Sequence, residues 1–299
     1  MSIIETKNLT KTYGKARGIT NLNLSVEEGD FFGFIGPNGA GKSTTIRTLL
    51  GFIHPTDGSA TIFQQDIQSH RDSILSDIGY MPSEAMFYHG MQVQDILSLS
   101  AKLHKKDCRQ EAKELCHHLD LDVHKKIEEL SLGNRKKVAI VCALQHRPKL
   151  YILDEPTSGL DPLMQKEFFR LLQERNEAGA TIFLSSHVLS EIQKNCRHAA
   201  IIKEGKLIAC DSVSNLTNTR TRKVSLHGIT TLPDTLQGTS VQKDGDTINF
   251  LYSGDIKPLL EQLSPLPLQD VLITEPDLEE VFLHYYKEHS CNSEIMPIE

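Results

Sequence analysis

A short apolar run, Phe31-Phe32-Gly33-Phe34-Ile35, leads without a break into Gly36-Pro37-Asn38-Gly39-Ala40-Gly41-Lys42-Ser43-Thr44. The run reads as a buried strand, and the residues from Lys42 to about Leu50 read as a helix. The loop between them has the pattern G-x-x-x-x-G-K-[ST]. Glycines let consecutive backbone N–H groups turn inward around an anion, with no Cβ in the way. The free N–H groups and dipole of the following helix favour the same negative charge. Lys42 is placed to reach β- and γ-phosphates, and the Ser43 hydroxyl to ligate Mg²⁺. A structural glycine loop is the plainer reading. The strand before it and the helix after it favour the phosphate-binding one.

A second stretch complements the first. Leu150-Tyr151-Ile152-Leu153-Asp154-Glu155-Pro156-Thr157 is an apolar strand that ends in two acids. An acid at the tip of a central strand is poorly solvated and needs a cation or hydrogen-bond donors. Asp154 is placed to hold Mg²⁺ through its water shell, and Glu155 to polarise an attacking water.

Strands and helices alternate around these two stretches. Ser59–Phe63, Ile78–Met81, Leu150–Leu153, Thr181–Ser185 and Ala199–Lys203 read as strands, with helices over Leu163–Ala178 and Val188–Asn195. That alternation predicts an α/β fold, a mostly parallel sheet with helices on both faces. Ahead of it, Asn21–Val26 alternates polar and apolar residues and predicts a half-buried strand. Thr56-Asp57-Gly58-Ser59 predicts a turn. The pattern becomes helical from about Val93 to Leu119, and again after Ser131 to about Gln145. This block, about 92–147, interrupts the alternation and reads as an inserted helical subdomain. Ala199–Lys203 and Lys206–Ala209 form a hairpin around Glu204-Gly205.

Composition changes at Asn215-Leu216-Thr217-Asn218-Thr219, which reads as a linker. The predicted division is therefore 1–216 and 217–299. The second part holds strands at Lys223–His227, Thr247–Tyr252 and Val271–Thr274. Helices are expected at Ile256–Leu263, with Pro258 tolerated in its first turn, and at Asp277–Glu288. This is enough for a small α/β domain.

A chain of 299 residues can bury a sizeable core without staples. The net charge of -7 argues against a broad nucleic-acid-binding face, so no nucleic-acid partner is expected. The six cysteines form no CxxC pair and fit no zinc spacing; they read as reduced thiols. No signal peptide is expected, and no run of about 18 apolar residues predicts a membrane-spanning helix.

Taken together, these motifs resemble the nucleotide-binding subunit of an ABC (ATP-binding cassette) transporter, over about Met1 to Asn215. Ser158-Gly159-Leu160-Asp161 is similar to the family's D-loop, and His187 to its switch histidine. Tyr13, in Lys11-Thr12-Tyr13-Gly14, resembles the aromatic residue that stacks on adenine; a core tyrosine is the alternative. Leu130-Ser131-Leu132-Gly133-Asn134 resembles the family's LSGGQ signature in altered form, with Ser131 also suited to a plain helix N-cap.

The resemblance implies a P-loop NTPase core with an N-terminal antiparallel β subdomain, a helical subdomain and a small C-terminal α/β domain. It implies hydrolysis of ATP with Mg²⁺, with Glu155, His187 and Lys42 as the catalytic set. It implies ATP contacts from Tyr13, Gly36 to Thr44 and Ser83, and metal contacts from Ser43 and Asp154. Ser131, Gly133 and Asp161 would reach the ATP held by a second cassette, either a copy or a related chain. A membrane-embedded permease is the other implied partner, which places the chain peripherally on the cytoplasmic face.

Two departures from the family pattern stand out. Leu132 and Asn134 alter the signature. Ser83, in Tyr80-Met81-Pro82-Ser83-Glu84, replaces the family's Gln, and is too short to reach Mg²⁺ or water directly. Slower or differently coupled hydrolysis is the expectation, with Glu84 or a bridging water as substitutes. Phe87, Tyr88 and Met91 follow and are candidates for contact with a permease or for internal packing. Thr274 to Leu283 resembles the P-x-L-E-x-V-F-L end of drug, peptide and bacteriocin exporters. The competing readings are an importer subunit, a soluble regulator of the same family and a cassette that binds without hydrolysing.

Overall fold

The structure is a computed structural model and describes residues 1–14, 16–217, 221–229, 231–232, 236 and 238–274. The chain divides into two compact units, Met1–Cys210 and Asp211–Glu299. In chain order the first carries β1 (Ser2–Tyr13), β2 (Ala16–Leu22), β3 (Ser25–Glu27), β4 (Phe31–Ile35), α1 (Lys42–Leu49), β5 (Asp57–Ile62), β6 (Gln65–Asp66) and α2 (Arg71–Ser76). It continues with β7 (Ile78–Met81), α3 (Val93–Leu103), α4 (Arg109–His118), α5 (Leu132–Leu144), β8 (Leu150–Asp154), α6 (Pro162–Glu177), β9 (Thr181–Ser186), α7 (Leu189–Asn195), β10 (His198–Lys203) and β11 (Lys206–Ser212).

The central sheet has the order β11-β10-β4-β9-β8-β7. Strands β10, β4, β9, β8 and β7 run parallel. The two-residue connection Glu204-Gly205 allows only an antiparallel β11. Every residue of β4, β8 and β9 is buried. This is the apolar continuity expected of a sheet covered on both faces. Phe183 lies between Phe32 and Phe34 of the neighbouring strand, with ring centroids 5.8 Å and 5.5 Å apart. The consequence for function is positional: β4 and β8 both deliver their carboxyl ends to one edge of the sheet, where open α/β sheets bind ligands.

The N-terminal sheet is antiparallel, in the order β2-β1-β5-β6, with β3 also paired to β1. The single strand expected over Asn21–Val26 is broken into the end of β2 and the start of β3. Asn21 takes a left-handed φ of 48°, and the Asn23 carboxamide accepts from the Asn8 N–H at 2.9 Å. Buried Thr6 then bridges the gap, donating to the Leu22 carbonyl and accepting from the Leu24 N–H, both at 2.8 Å. The two pieces pair with different parts of β1, β2 with Leu9–Tyr13 and β3 with Ser2–Glu5. The turn expected at Thr56–Ser59 is instead the start of β5. Gly58, at φ 75°, falls at the register irregularity between the pairs Lys7–Ser59 and Thr10–Asp57, where a Cβ would sit 2.3 Å from the Asn8 carbonyl oxygen.

The helical stretch Val93–Leu119 is two helices. Lys105 adopts a left-handed φ of 54°, ending α3, and the Asp107 carboxylate accepts from the Arg109 N–H at the start of α4. Helix α5 begins after Ser131 as expected and packs on β7.

The second unit contains α8 (Val213–Thr217), β12 (Thr221–His227), β13 (Gly238–Asp244), β14 (Thr247–Ser253), α9 (Ile256–Leu263) and β15 (Asp270–Thr274). Residues assigned to a linker at Asn215–Thr217 are thus helical. Strands in the order β13-β14-β12-β15 form an antiparallel sheet. Val224, Leu226, Ile248 and Phe250 bury one face with Leu259 and Leu263 of α9. The expected helix Asp277–Glu288, and the exporter-like stretch beyond Thr274, lie outside the described residues.

Candidate functional site

The glycine-rich loop joins β4 to α1, at the sheet edge its motif requires. Gly41 caps α1 at φ 112°, a conformation that a side-chain-bearing residue rarely adopts. Pro37, Asn38 and Gly39 are exposed, whereas Gly36 and Ala40 are buried beneath them. Lys42 opens the helix and is 5% exposed. Its ammonium donates to the Gly36 carbonyl at 2.5 Å and the Pro37 carbonyl at 3.2 Å. It also lies 3.0 Å from Glu155 Oε1, as an ion pair without the alignment of a hydrogen bond.

The acidic pair lies two strands away, at the end of β8. Asp154 is 1% exposed, and its Oδ1 accepts a hydrogen bond from Ser185 Oγ at 2.6 Å. Ser185 stands opposite Asp154 in the β8–β9 register. Its hydroxyl oxygen accepts in turn from the Glu155 N–H at 3.1 Å, and its carbonyl from the same N–H at 3.2 Å. These bonds hold Glu155 in a left-handed backbone, φ 48°. The two carboxylates take different partners, Asp154 the Ser185 hydroxyl and Glu155 the Lys42 ammonium and the His187 ring. Glu155 Oε2 lies 2.7 Å from His187 Nδ1.

A cavity of about 320 Å³ is lined by Pro37, Asn38, Gly39, Gly41, Lys42, Ser43, Thr44, Ser83 and Glu155. The structure therefore brings the loop, the strand-end glutamate and Ser83 around one space, with His187 against Glu155 of its lining and Asp154 preceding that glutamate in the chain. Ser43 and Asp154 offer a hydroxyl and a carboxylate, the hard oxygen donors that suit Mg²⁺ beside phosphates. The arrangement can grip a polyphosphate, and it holds a carboxylate next to the gripped end.

The remaining expected residues lie outside that cavity lining. Tyr13 ends β1, 42% exposed, with the Lys11 ammonium 5.3 Å from its ring centroid. Ser131 caps α5, accepting from the Asn134 N–H at 3.3 Å, and is exposed. Gly133 is half-buried in the first turn of that helix. Asp161 caps α6, accepting from the N–H groups of Leu163 and Met164 at 3.0 Å each. Leu132 and Leu163, beside these caps, are 71% and 75% exposed. Of the residues after Ser83, Tyr88 is 71% exposed, and Phe87 and Met91 are half-buried.

Three groups of residues were missed from sequence. Ser185 could have been noticed as a hydroxyl at the end of an apolar strand. Glu191 accepts from the hydroxyls of Thr157 and Ser186, both at 3.0 Å, and burial raises its pKa. Lys136 is 3% exposed and donates to the carbonyls of Ser83 at 2.7 Å and Glu155 at 3.0 Å. Nothing in a basic helical stretch marks that lysine out as buried.

The chain is similar to known proteins. A family model described as ABC transporter matches residues 19–158. The bacitracin transport ATP-binding protein BcrA of Bacillus licheniformis is 43% identical over 211 residues, 69% of each chain. The probable multidrug ABC transporter ATP-binding protein YbhF of Escherichia coli is 32% identical over 220 residues; the match takes in 72% of this chain but only 38% of YbhF. A solved structure described as an ATP-binding subunit of an ABC transporter superposes with a TM-score of 0.69 at 28% identity. It covers 72% of this chain and 92% of that one.

Proposed function

The chain belongs to the ABC transporter family, and we propose on that premise that it works as a pair of cassettes beneath an export permease. Its activity is hydrolysis of ATP to power transport. The fold is the ATP-binding cassette, and no helix of the described residues is long and apolar enough to cross a membrane.

In this reading the loop Gly36 to Thr44 wraps the phosphates, Lys42 neutralises their terminal charge, and Tyr13 stacks on the adenine. Ser43 and Asp154 would hold Mg²⁺, which would supply positive charge to offset that of the phosphates. Glu155 accepts a proton from the attacking water, and His187 keeps its carboxylate oriented through the 2.7 Å contact. The reaction needs positioning and charge stabilisation rather than a covalent intermediate. The observation that carries the proposal is the joint placement of Lys42, Glu155 and Ser83 around one cavity.

Ser131, Gly133 and Asp161 serve a second cassette. The exposed caps of α5 and α6, with Leu132 and Leu163 beside them, supply a surface that closes on the partner's nucleotide. Of the candidates for contact with the permease, Tyr88 is 71% exposed, and its neighbour Met86 is 89% exposed. The bacitracin and multidrug relatives favour export, of a peptide antibiotic or a similar amphipathic compound, over the importer and soluble-regulator readings.

Affinity purification from gently solubilised membranes tests this. A stoichiometric multispan protein among the bound partners is the expected result. Recovery of soluble partners alone would overturn the permease assignment and leave the ATPase standing.

A further inference from the structure

Lys136 sits in the first turns of α5, five residues after the cap Ser131. A lysine ammonium with 3% exposure has lost most of its hydration and needs acceptors. It finds two backbone carbonyls. One is Ser83, just past the end of β7, at 2.7 Å; the other is Glu155, just past the end of β8, at 3.0 Å. Burial lowers its pKa, and the negative charges of Asp154, Glu155 and Glu84 act against that shift.

We propose that Lys136 is a positioning residue. It fixes the Glu155 and Ser83 loops to α5, so that a movement at the Ser131 end of the helix reaches the carboxylate of its own site.

Three observations carry this beyond a buried ion. First, the acceptors are the carbonyls of two loops that both line the cavity, so the ammonium sets the spacing between them. Second, Glu155 is held in a left-handed backbone, φ 48°, which survives only where neighbours enforce it. The Ser185 bonds fix its N–H and Lys136 fixes its carbonyl. Third, α5 is a rigid element with the exposed cap at one end and the buried ammonium about a turn later. A displacement at one is transmitted to the other. This inference rests on the assignment of Glu155 and Ser131 made above.

Chemistry predicts which substitutes work. Arginine retains charge and several donors. Methionine matches the length and removes both. A misplacement of the carboxylate by about 1 Å can cost on the order of 10²-fold in rate, with little effect on substrate binding.

The test compares the full-length chains Lys136→Met, Lys136→Arg, Lys42→Ala and Glu155→Gln with wild type. The readouts are steady-state phosphate release and titration with a fluorescent ATP analogue. Lys136→Met is expected to lower kcat at least about tenfold, with KM and analogue affinity within about threefold, and to lose cooperativity in ATP. Lys136→Arg is expected to restore most of kcat. Two results overturn the inference: wild-type kcat and cooperativity in Lys136→Met, or equal loss of analogue binding in both Lys136 variants. If Glu155→Gln and Lys42→Ala also turn over normally, the underlying site assignment has failed instead.

Discussion

The Lys42 ammonium lies 3.0 Å from Glu155 Oε1 while it donates to the Gly36 carbonyl, so one cation spans the loop of β4 and the end of β8. Both partners are withdrawn from water, and a charge in that setting must stay paired. An incoming phosphate therefore competes with Glu155 for the same lysine. Removing Lys42 should leave the loop able to fold and unable to hold the terminal phosphates. Lys42→Ala is expected to weaken binding of a fluorescent ATP analogue by about tenfold or more, since a charge-assisted contact contributes roughly 1.5–3 kcal/mol. Unchanged affinity would separate Lys42 from the nucleotide altogether.

Glu155 makes the opposite separation. Its amide analogue keeps the shape of the cavity and loses the basic oxygen. Loss of a general base typically costs roughly 10²–10⁴ in rate. Glu155→Gln should thus bind ATP as wild type does, hydrolyse it about a hundredfold more slowly or worse, and elute as a dimer with ATP and Mg²⁺ during gel filtration. Normal phosphate release from this variant would remove Glu155 from the mechanism.

Much of this site could be read directly from the chain, because its motifs are contiguous. The loop Gly36 to Thr44 directly follows its strand signal Phe31–Ile35, and the pair Asp154-Glu155 directly follows Leu150–Leu153. Contacts between distant segments could not be read in that way. Lys136 meets Ser83 across a sequence gap of 53 residues, and Ser185 meets Asp154 across 31. Those pairs become neighbours only through the order β4-β9-β8-β7, which periodicity alone does not supply. The bounds of strand β1 were illegible for a related reason, since its burial pattern departs from strict alternation and it pairs with β3 over Ser2–Glu5 and with β2 over Leu9–Tyr13.

Ser83 tests a different kind of expectation. Its carbonyl is held by Lys136 and the residue lines the cavity, so a longer side chain can be introduced without removing that backbone contact. Ser83→Gln extends an amide toward the phosphate end and is expected to change basal ATPase activity severalfold. Turnover equal to wild type would show that the short side chain costs nothing.

Ser131 has two roles that substitutions can separate. As an N-cap it contributes about 1 kcal/mol, which alanine forfeits and aspartate retains. Near a γ-phosphate of the partner cassette, however, aspartate adds a repelled negative charge. Ser131→Asp should therefore melt with wild type and hydrolyse ATP poorly, whereas Ser131→Ala should melt a few degrees lower. If Ser131→Asp retains full cooperative activity, the exposed cap faces no nucleotide.

His146 predicts how the fold responds to acid. Its side chain is 3% exposed, its ring stacks on His104 with centroids 3.6 Å apart, and Nε2 meets the Ile78 carbonyl oxygen at 3.1 Å. Burial, reinforced by the neighbouring His104 and Lys106, pushes its pKa down to about 4. The unfolded chain protonates this imidazole near the ordinary value of about 6.5. Between those two values the unfolded state binds the extra proton, so stability rises with pH. The contribution is complete above the ordinary histidine range and is lost as pH falls from about 6.5 towards 4. A shift of this size corresponds to a few kcal/mol at most, on the order of 1.4 kcal/mol per unit. Melting curves at pH 7.5 and pH 5 should therefore show a larger loss for wild type than for His146→Asn, which has no proton to gain. Equal losses would mean that other groups dominate the acid response and that the buried imidazole does not control it.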